Sequence, residues 1–206
     1  MKTHPIFARF YIKTSGAMEA GGMTAHRQEL LSGLSGQVVE IGAGNGLSFP
    51  HYPSAVTRLL AVEPEPLLRQ AAQHAAQRAQ VPVEVVDGLA ERLPAETDSF
   101  DAAVVSLVLC SVPDQQAALH EIARVLRPGG ELRFLEHVRA DTGGMRRVQK
   151  VLDVSIGPRM LGGCHGGRDT VAAIEQAGFD VGKLDRFLFP GARTPYAFHV
   201  LGIANT

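Results

Sequence analysis

A chain of 206 residues, 45% apolar and 20% charged, has the make-up of one globular domain large enough to bury a core. Its formal net charge of −1 excludes a global field favouring nucleic acid or an anionic membrane. Two cysteines, Cys110 and Cys164, make no disulfide framework, and no apolar run approaches the roughly 20 residues that span a bilayer.

The chain opens on Met1-Lys2-Thr3-His4-Pro5, without the apolar segment and cleavage site of a secretory signal, so a cytoplasmic location is expected. Residues 1–34 mix aromatics with glycine (Phe7, Phe10, Tyr11, then Gly16, Gly21 and Gly22) ahead of a first strand-like run at 38–41. Further apolar runs predict strands at 59–63, 83–87, 102–106 and 131–136. Helical patterns alternate with them. Small or apolar residues at 68, 71, 72, 75, 76 and 79 make a helical stripe between Pro66 and Gln80. Asp114 is placed to cap a second helix, through Leu119, Ile122 and Leu126, that stops at Pro128-Gly129-Gly130. Residues 139–168 then interrupt the frame with a basic piece (Arg146, Arg147, Lys150) and the turn Gly162-Gly163-Cys164-His165-Gly166-Gly167. Asp169 is placed to cap a third helix, ending near Ala177-Gly178. Arg186-Phe187-Leu188-Phe189 and residues 197–203 predict a last strand pair, an antiparallel hairpin at the sheet edge.

This alternation predicts an α/β fold with a mostly parallel sheet and helices on both faces. Ligands of open α/β sheets sit beyond the carboxyl ends of the strands. The segments outside the frame, 1–34 and 139–168, are therefore expected to cover that crevice within a single domain, 1–206.

The chemistry concentrates after the first strand, in Val38-Val39-Glu40-Ile41-Gly42-Ala43-Gly44-Asn45-Gly46. Alternating glycines let the backbone turn sharply and lie against a ligand. The dinucleotide fingerprint is G-x-G-x-x-G, with its last glycine beside a helix that faces a pyrophosphate. Here the third glycine comes one residue early, and Leu47-Ser48-Phe49-Pro50 does not open a smooth helix. A ligand without a pyrophosphate fits better, and S-adenosylmethionine is one. Glu63, closing Leu59-Leu60-Ala61-Val62-Glu63, is suited to accept hydrogen bonds from both ribose hydroxyls, because a carboxylate is acceptor-only.

With its neighbours, this motif resembles the class I S-adenosylmethionine-dependent methyltransferases over roughly 36–137. The motifs come in the family's order: Glu40 to Gly46, Glu63, Ala90-Glu91-Arg92-Leu93-Pro94, Ser99-Phe100-Asp101-Ala102-Ala103-Val104-Val105-Ser106, and Arg124-Val125-Leu126-Arg127-Pro128-Gly129-Gly130. Leu107-Val108-Leu109-Cys110-Ser111-Val112, Glu136-His137-Val138, Phe49 with Tyr52-Pro53, and Gly163-Cys164 are most similar to the small-thiol S-methyltransferase-like group. Quinone-biosynthesis and phospholipid methyltransferase-like enzymes are more general neighbours. The eukaryotic thiol relatives carry an N-terminal membrane anchor that is not found in this sequence.

The resemblance implies a Rossmann-like, doubly wound seven-stranded sheet and a methyltransferase acting on a small molecule by in-line transfer. No nucleic-acid partner or membrane span is implied. Its cofactor site would comprise Glu40, Gly42, Ala43, Gly44, Asn45, Gly46, Glu63, Pro64, Gly88, Leu89, Ala90, Ser106, Leu107 and Cys110. The family's acidic adenine contact falls at Leu89 here. Either Asp87 reaches the base or the backbone of Leu89 and Ala90 reads it. Tyr11, Phe49, His51, Tyr52 and Glu136 are expected to wall the acceptor site. His137 and His165 are the expected proton-transfer residues, since imidazole titrates nearest neutrality. No metal is expected, because Cys164, His165 and His137 lack paired-cysteine spacing. A nucleoside sensor without transfer activity and a nicotinamide oxidoreductase are the competing readings.

Overall fold

The computed structural model describes residues 5–155, 158 and 161–206. Its strands are β1 (Gly36–Ile41), β2 (Val56–Val62), β3 (Val83–Val86), β4 (Phe100–Ser106), β5 (Leu126–His137), β6 (Asp180–Leu188) and β7 (Phe198–Asn205). They form one seven-stranded sheet in the order β3-β2-β1-β4-β5-β7-β6. β1 to β5 pair in parallel, and β7 pairs antiparallel with both β5 and β6. The parallel sheet and its antiparallel terminal hairpin are as expected. β6 forms the outer edge, and β7 lies inside it.

The helices are α1 (Pro5–Met18), α2 (Thr24–Leu31), α3 (Pro66–Ala76), α4 (Gln115–Val125), α5 (Gly143–Asp153) and α6 (Thr170–Gln176). Side-chain alternation along the strands splits the core into two layers. Val39, Ile41, Ala103, Val105 and Phe134 pack with Leu119 and Ile122 of α4 on one face. Val38, Leu59, Ala61, Val104 and Leu135 pack with Leu30 and Leu31 of α2 and Ala72 of α3 on the other.

Several boundaries differ from the sequence reading for identifiable reasons. α3 ends at Ala76 rather than Gln80, with tighter turns from Arg78 N–H to the Ala75 carbonyl and from Ala79 N–H to the Ala76 carbonyl. α4 ends at Val125, because Leu126 is already extended and pairs with Phe100. The strand then carries Pro128-Gly129-Gly130 through a register shift against β4. β6 begins at Asp180, well before the apolar Arg186–Phe189 stretch. An edge strand covered on one side can carry Lys183, Asp185 and Arg186, and that polarity hides it from an apolar-run search. Asp114 caps α4 by accepting from the N–H groups of Gln116 and Ala117. Asp169 makes no such side-chain cap on α6 and pairs with Arg139 at 2.7 Å instead.

At the centre of β7, a Cβ on Gly202 would run into the Phe134 ring of β5. Overpacking of this kind costs about 1–3 kcal/mol. Gly202→Ala should therefore lower the melting temperature by about 3–10 °C in calorimetry. Gly143→Ala, where the Cβ would meet nothing within 4 Å, should leave it nearly unchanged.

Candidate active site

β1, β2, β4 and β5 end on the same edge of the sheet, and each end delivers a turn or side chain to one crevice. After β1 the chain bends over glycines. Gly42 has φ +69°, and a Cβ there would lie 2.5 Å from Val108 Cγ2. Gly46 has φ +80°, and its Cβ would lie 2.8 Å from both Ala75 Cβ and the Phe49 ring. A bare backbone alone follows this path. The Gly44 N–H donates to Glu63 Oε2 at 2.8 Å, and the Glu65 N–H donates to Glu63 Oε1 at 2.9 Å. The carboxylate at the tip of β2 is thereby tied to the bend, and each oxygen keeps capacity for another donor. Burial pushes the Glu63 carboxyl up to about 7, against the lowering by these two hydrogen bonds.

The N-terminal segment lies over the bend. Asn45 Nδ2 donates to Ser15 Oγ of α1 at 3.1 Å, and the Tyr11 ring stands 3.6 Å from the Cβ position of Gly44. Beneath it runs a buried polar network. Arg27 of α2 donates from Nη1 to Ser48 Oγ at 3.1 Å and Ser106 Oγ at 3.4 Å, and from Nη2 to Glu19 Oε1 at 2.8 Å. The Tyr52 hydroxyl donates to Glu40 Oε2 at 3.1 Å. Burial raises the Glu40 carboxyl, opposed by Ser48, Arg27 and Tyr52. Arg27 Nε and Asn45 Oδ1 are buried without a hydrogen-bond partner in this network.

On the far side, Leu107 adopts φ +60°, a conformation that strains a branched residue by about 1–3 kcal/mol. It turns the next three N–H groups onto Glu136. Val108 and Leu109 donate to Oε1 at 2.8 and 3.0 Å, and Cys110 donates to Oε2 at 3.2 Å. Glu136 is fully buried, with its carboxyl pushed up to about 7 by that burial. It was expected to wall the acceptor; instead it holds the backbone of 108–110.

His137, the next residue, points Nδ1 at two sulfurs: Cys164 Sγ at 3.4 Å and Cys110 Sγ at 3.7 Å. The glycine-rich turn supplies Cys164 and is bolted to the same loop. The His165 N–H donates to the Cys110 carbonyl at 2.8 Å, and Arg168 Nη1 donates to the carbonyls of Leu109 and Val112, both at 2.7 Å. The Cys110 hydrogen bond and His137 drive the Cys164 thiol down, and the same contact with Cys164 drives Cys110 up. Burial draws the His137 imidazole toward neutrality, but Cys164 and Glu136 with their neighbours together outweigh it and the net shift is upward.

Other expected residues fall in place unevenly. The His165 imidazole lies outside the sulfur cluster, and its main-chain N–H does the anchoring. Phe49 and Tyr52 are core side chains, the one packed under Gly46 and the other bonded to Glu40, whereas His51 is partly exposed. They are buried because the short 3₁₀ turn Phe49–His51 folds back onto the α2 face of the sheet. The Asp87 carboxylate is engaged by Arg69 at 3.0 Å, and Arg69 also donates to the carbonyls of Glu63 and Pro64. Gly88 packs against Val62 and Pro94, at the wall of a depression of about 450 Å³ that also includes Leu89. Arg27 was missed, for the stretch Ala25-His26-Arg27-Gln28 carries no motif that marks its arginine as buried.

Comparison with known proteins identifies the arrangement. A model of the methyltransferase domain matches residues 39–134. The human thiol S-methyltransferase TMT1A is 32% identical over 196 residues, covering 88% of this chain and 79% of that protein. The chain belongs to the class I S-adenosylmethionine-dependent methyltransferases, in the thiol S-methyltransferase group. The mouse thiol S-methyltransferase TMT1B is 34% identical over 179 residues, 84% of this chain and 73% of its own. Among solved structures, a S-adenosylmethionine-dependent methyltransferase from Thermotoga maritima superposes with a TM-score of 0.71 at 23% identity, covering 98% of this chain and 99% of that one.

This methyltransferase uses S-adenosylmethionine, and its residues fit that cofactor. Glu63 retains acceptor capacity on both oxygens, and Arg27 Nε and Asn45 Oδ1 are buried without a hydrogen-bond partner beside the glycine bend. Membership of the family sets aside the nicotinamide alternative. Among the described residues, no helix is long and apolar enough to cross a membrane.

Glu63 makes three predictions. Glu63→Gln should weaken cofactor binding about 10- to 100-fold by calorimetry, the worth of charge-assisted hydrogen bonds. Wild-type affinity should rise as pH increases through about 7, where the carboxyl ionises, and the variant should lose that rise. Stability without cofactor should run the opposite way. A folded carboxyl pKa above its unfolded value favours folding below the ordinary carboxylate range, and that contribution is lost as pH rises through about 7. Urea denaturation at pH 5 and pH 8 measures the drop, which Glu63→Gln should reduce.

Proposed function

We propose that this methyltransferase transfers the methyl group in line to the sulfur of a small thiol. The observation that supports this most directly is the acceptor side of the crevice, where an imidazole and two thiols gather at the ends of β4 and β5. Glu136 is committed to three backbone N–H groups, so it does not serve as the base that an amine or phenol acceptor would need. The likeness to the thiol S-methyltransferases over most of the chain agrees with this reading.

The cofactor supplies a methyl group already activated on a sulfonium. Glu63 would accept from the ribose hydroxyls. The Gly42–Gly46 bend would cradle the amino-acid tail, with Arg27 and Asn45 meeting its charged ends and Glu40 near its amino group. The backbone of Leu89 and Ala90 would read the adenine, flanked by Pro64 and Gly88, since Arg69 holds Asp87 back. Ser106, Leu107 and Cys110 would border the methyl group.

The chain's remaining work is alignment, exclusion of water and ionisation of the acceptor. The Phe7 ring of α1 packs so close to Gly162 that a Cβ there would sit 2.6 Å away, which supports α1 and the glycine-rich turn as the cover of the crevice. Their closure would hold the reacting atoms at the roughly 3–3.5 Å of a near-attack arrangement. The reactive form of a thiol is the thiolate, and His137 stands where that ionisation would be promoted. A reducing compartment such as the cytoplasm suits a site built on free thiols.

A panel of small thiols, amines and phenols with labelled cofactor tests the reading. Thiols alone should be methylated, and His137→Ala should lower kcat/KM about 100-fold or more with cofactor affinity retained. Equal transfer to amines or phenols would overturn it.

A further inference from the structure

Cys110, His137 and Cys164 come from three separate segments: the loop after β4, the end of β5 and the glycine-rich turn. Their ligand atoms nevertheless lie within 4.8 Å of one another, around a shared centre. The two sulfur–nitrogen separations are 3.4 and 3.7 Å. A tetrahedral zinc ion with Zn–S of about 2.3 Å and Zn–N of about 2.0–2.1 Å sets a sulfur–nitrogen edge of about 3.6 Å. The observed pair brackets that edge.

We propose that Cys110, His137 and Cys164 form a three-ligand Zn²⁺ site whose fourth position takes the acceptor thiol.

The surroundings support it. Each ligand is positioned by its own backbone contacts. The Cys110 N–H is held by Glu136 and its carbonyl by the His165 N–H, while the Cys164 N–H donates to the Leu161 carbonyl. The His137 ring is packed between His199, 4.3 Å away, and the edge of Tyr196. The ligand set also selects the metal. Two sulfurs and an imidazole suit zinc and other thiophilic ions, and the nearby Glu136 carboxylate is engaged with three backbone N–H groups. Three protein ligands with one open position is the pattern of catalytic rather than structural zinc sites.

This inference rests on the thiol reading and specifies how the acceptor is ionised. On binding, the acceptor's S–H proton passes to water and a zinc–sulfur bond forms, because a coordinating thiol is deprotonated. That sulfur then forms the bond to the methyl carbon as the carbon–sulfonium bond breaks, and the neutral thioether, a poorer ligand, departs. His137 serves here as a ligand rather than as the proton acceptor.

The test uses the full chain, reduced with a phosphine, stripped with a chelator and reloaded with Zn²⁺ or Co²⁺. Elemental analysis should find one zinc per chain. Cobalt should give a thiolate charge-transfer absorption with visible bands of tetrahedral intensity, and a small thiol, but not the matching alcohol, should shift those bands. Cys110→Ser and Cys164→Ser should each weaken zinc binding at least tenfold. Cys164→His, which restores a ligand, should recover zinc with a weaker charge-transfer band, separating ligation from a folding defect. Substoichiometric zinc indifferent to these substitutions would overturn the site, and cobalt bands that ignore thiols would overturn its open position. Thiol methylation by metal-free protein at the full rate would overturn the zinc role and leave the thiol reading standing. A stoichiometric, thiol-responsive site in a protein that methylates no thiol would do the reverse.

Discussion

The grip of Glu136 on the loop after β4 organises this molecule's working edge. A carboxylate removed from water costs several kcal/mol unless its oxygens are satisfied, and here three consecutive N–H groups satisfy them. That demand bends the loop and places Leu107 in the left-handed region. The bent loop then seats Val108 against Gly42, so the shape of the glycine bend depends on it. It presents the Cys110 carbonyl to the His165 N–H and the Leu109 carbonyl to Arg168, which dock the glycine-rich turn. Glycine bend, sulfur cluster and docked glycine-rich turn are three consequences of one buried acid.

A second polar network connects the N-terminal segment to the sheet. Arg27 is 5% exposed, and its pairing with Glu19 spans the break between α1 and α2, where Gly22 has φ +116°. Its other donations reach Ser48 beyond the glycine bend and Ser106 at the end of β4. A buried pair of this kind adds little net stability, since desolvation offsets much of the attraction. What it adds is placement: α1 can cover the bend only if α2 is held in register with the strand ends. Arg27 Nε is left without a hydrogen-bond partner among the described residues.

Much of the fold was legible because its signals are local. The continuous apolar runs of the parallel strands, the Asp114 cap and the glycine spacing each act within a few residues, and each was read correctly. Glu63 was legible too, as the acidic end of an apolar run. β6 escaped in part because an edge strand needs only one buried face. Asp169 had the right residue type for a cap but met Arg139, a partner brought in by tertiary contact. Glu136 and Phe49 were assigned to the acceptor because both follow recognisable motifs. Motif position says which turn a residue joins, not which way its side chain points.

The sequence by itself determined the alternation of strands and helices, the bend that excludes side chains, and the acid at the end of β2. All of these follow from steric limits and hydrogen-bonding capacity within short stretches. Only the tertiary structure decided that Cys110, His137 and Cys164 share one centre and that Arg27 lies beneath the crevice. Those outcomes depend on where distant segments dock. Docking is set by burial and by the pairing of polar groups across the whole core, which no single stretch of chain contains.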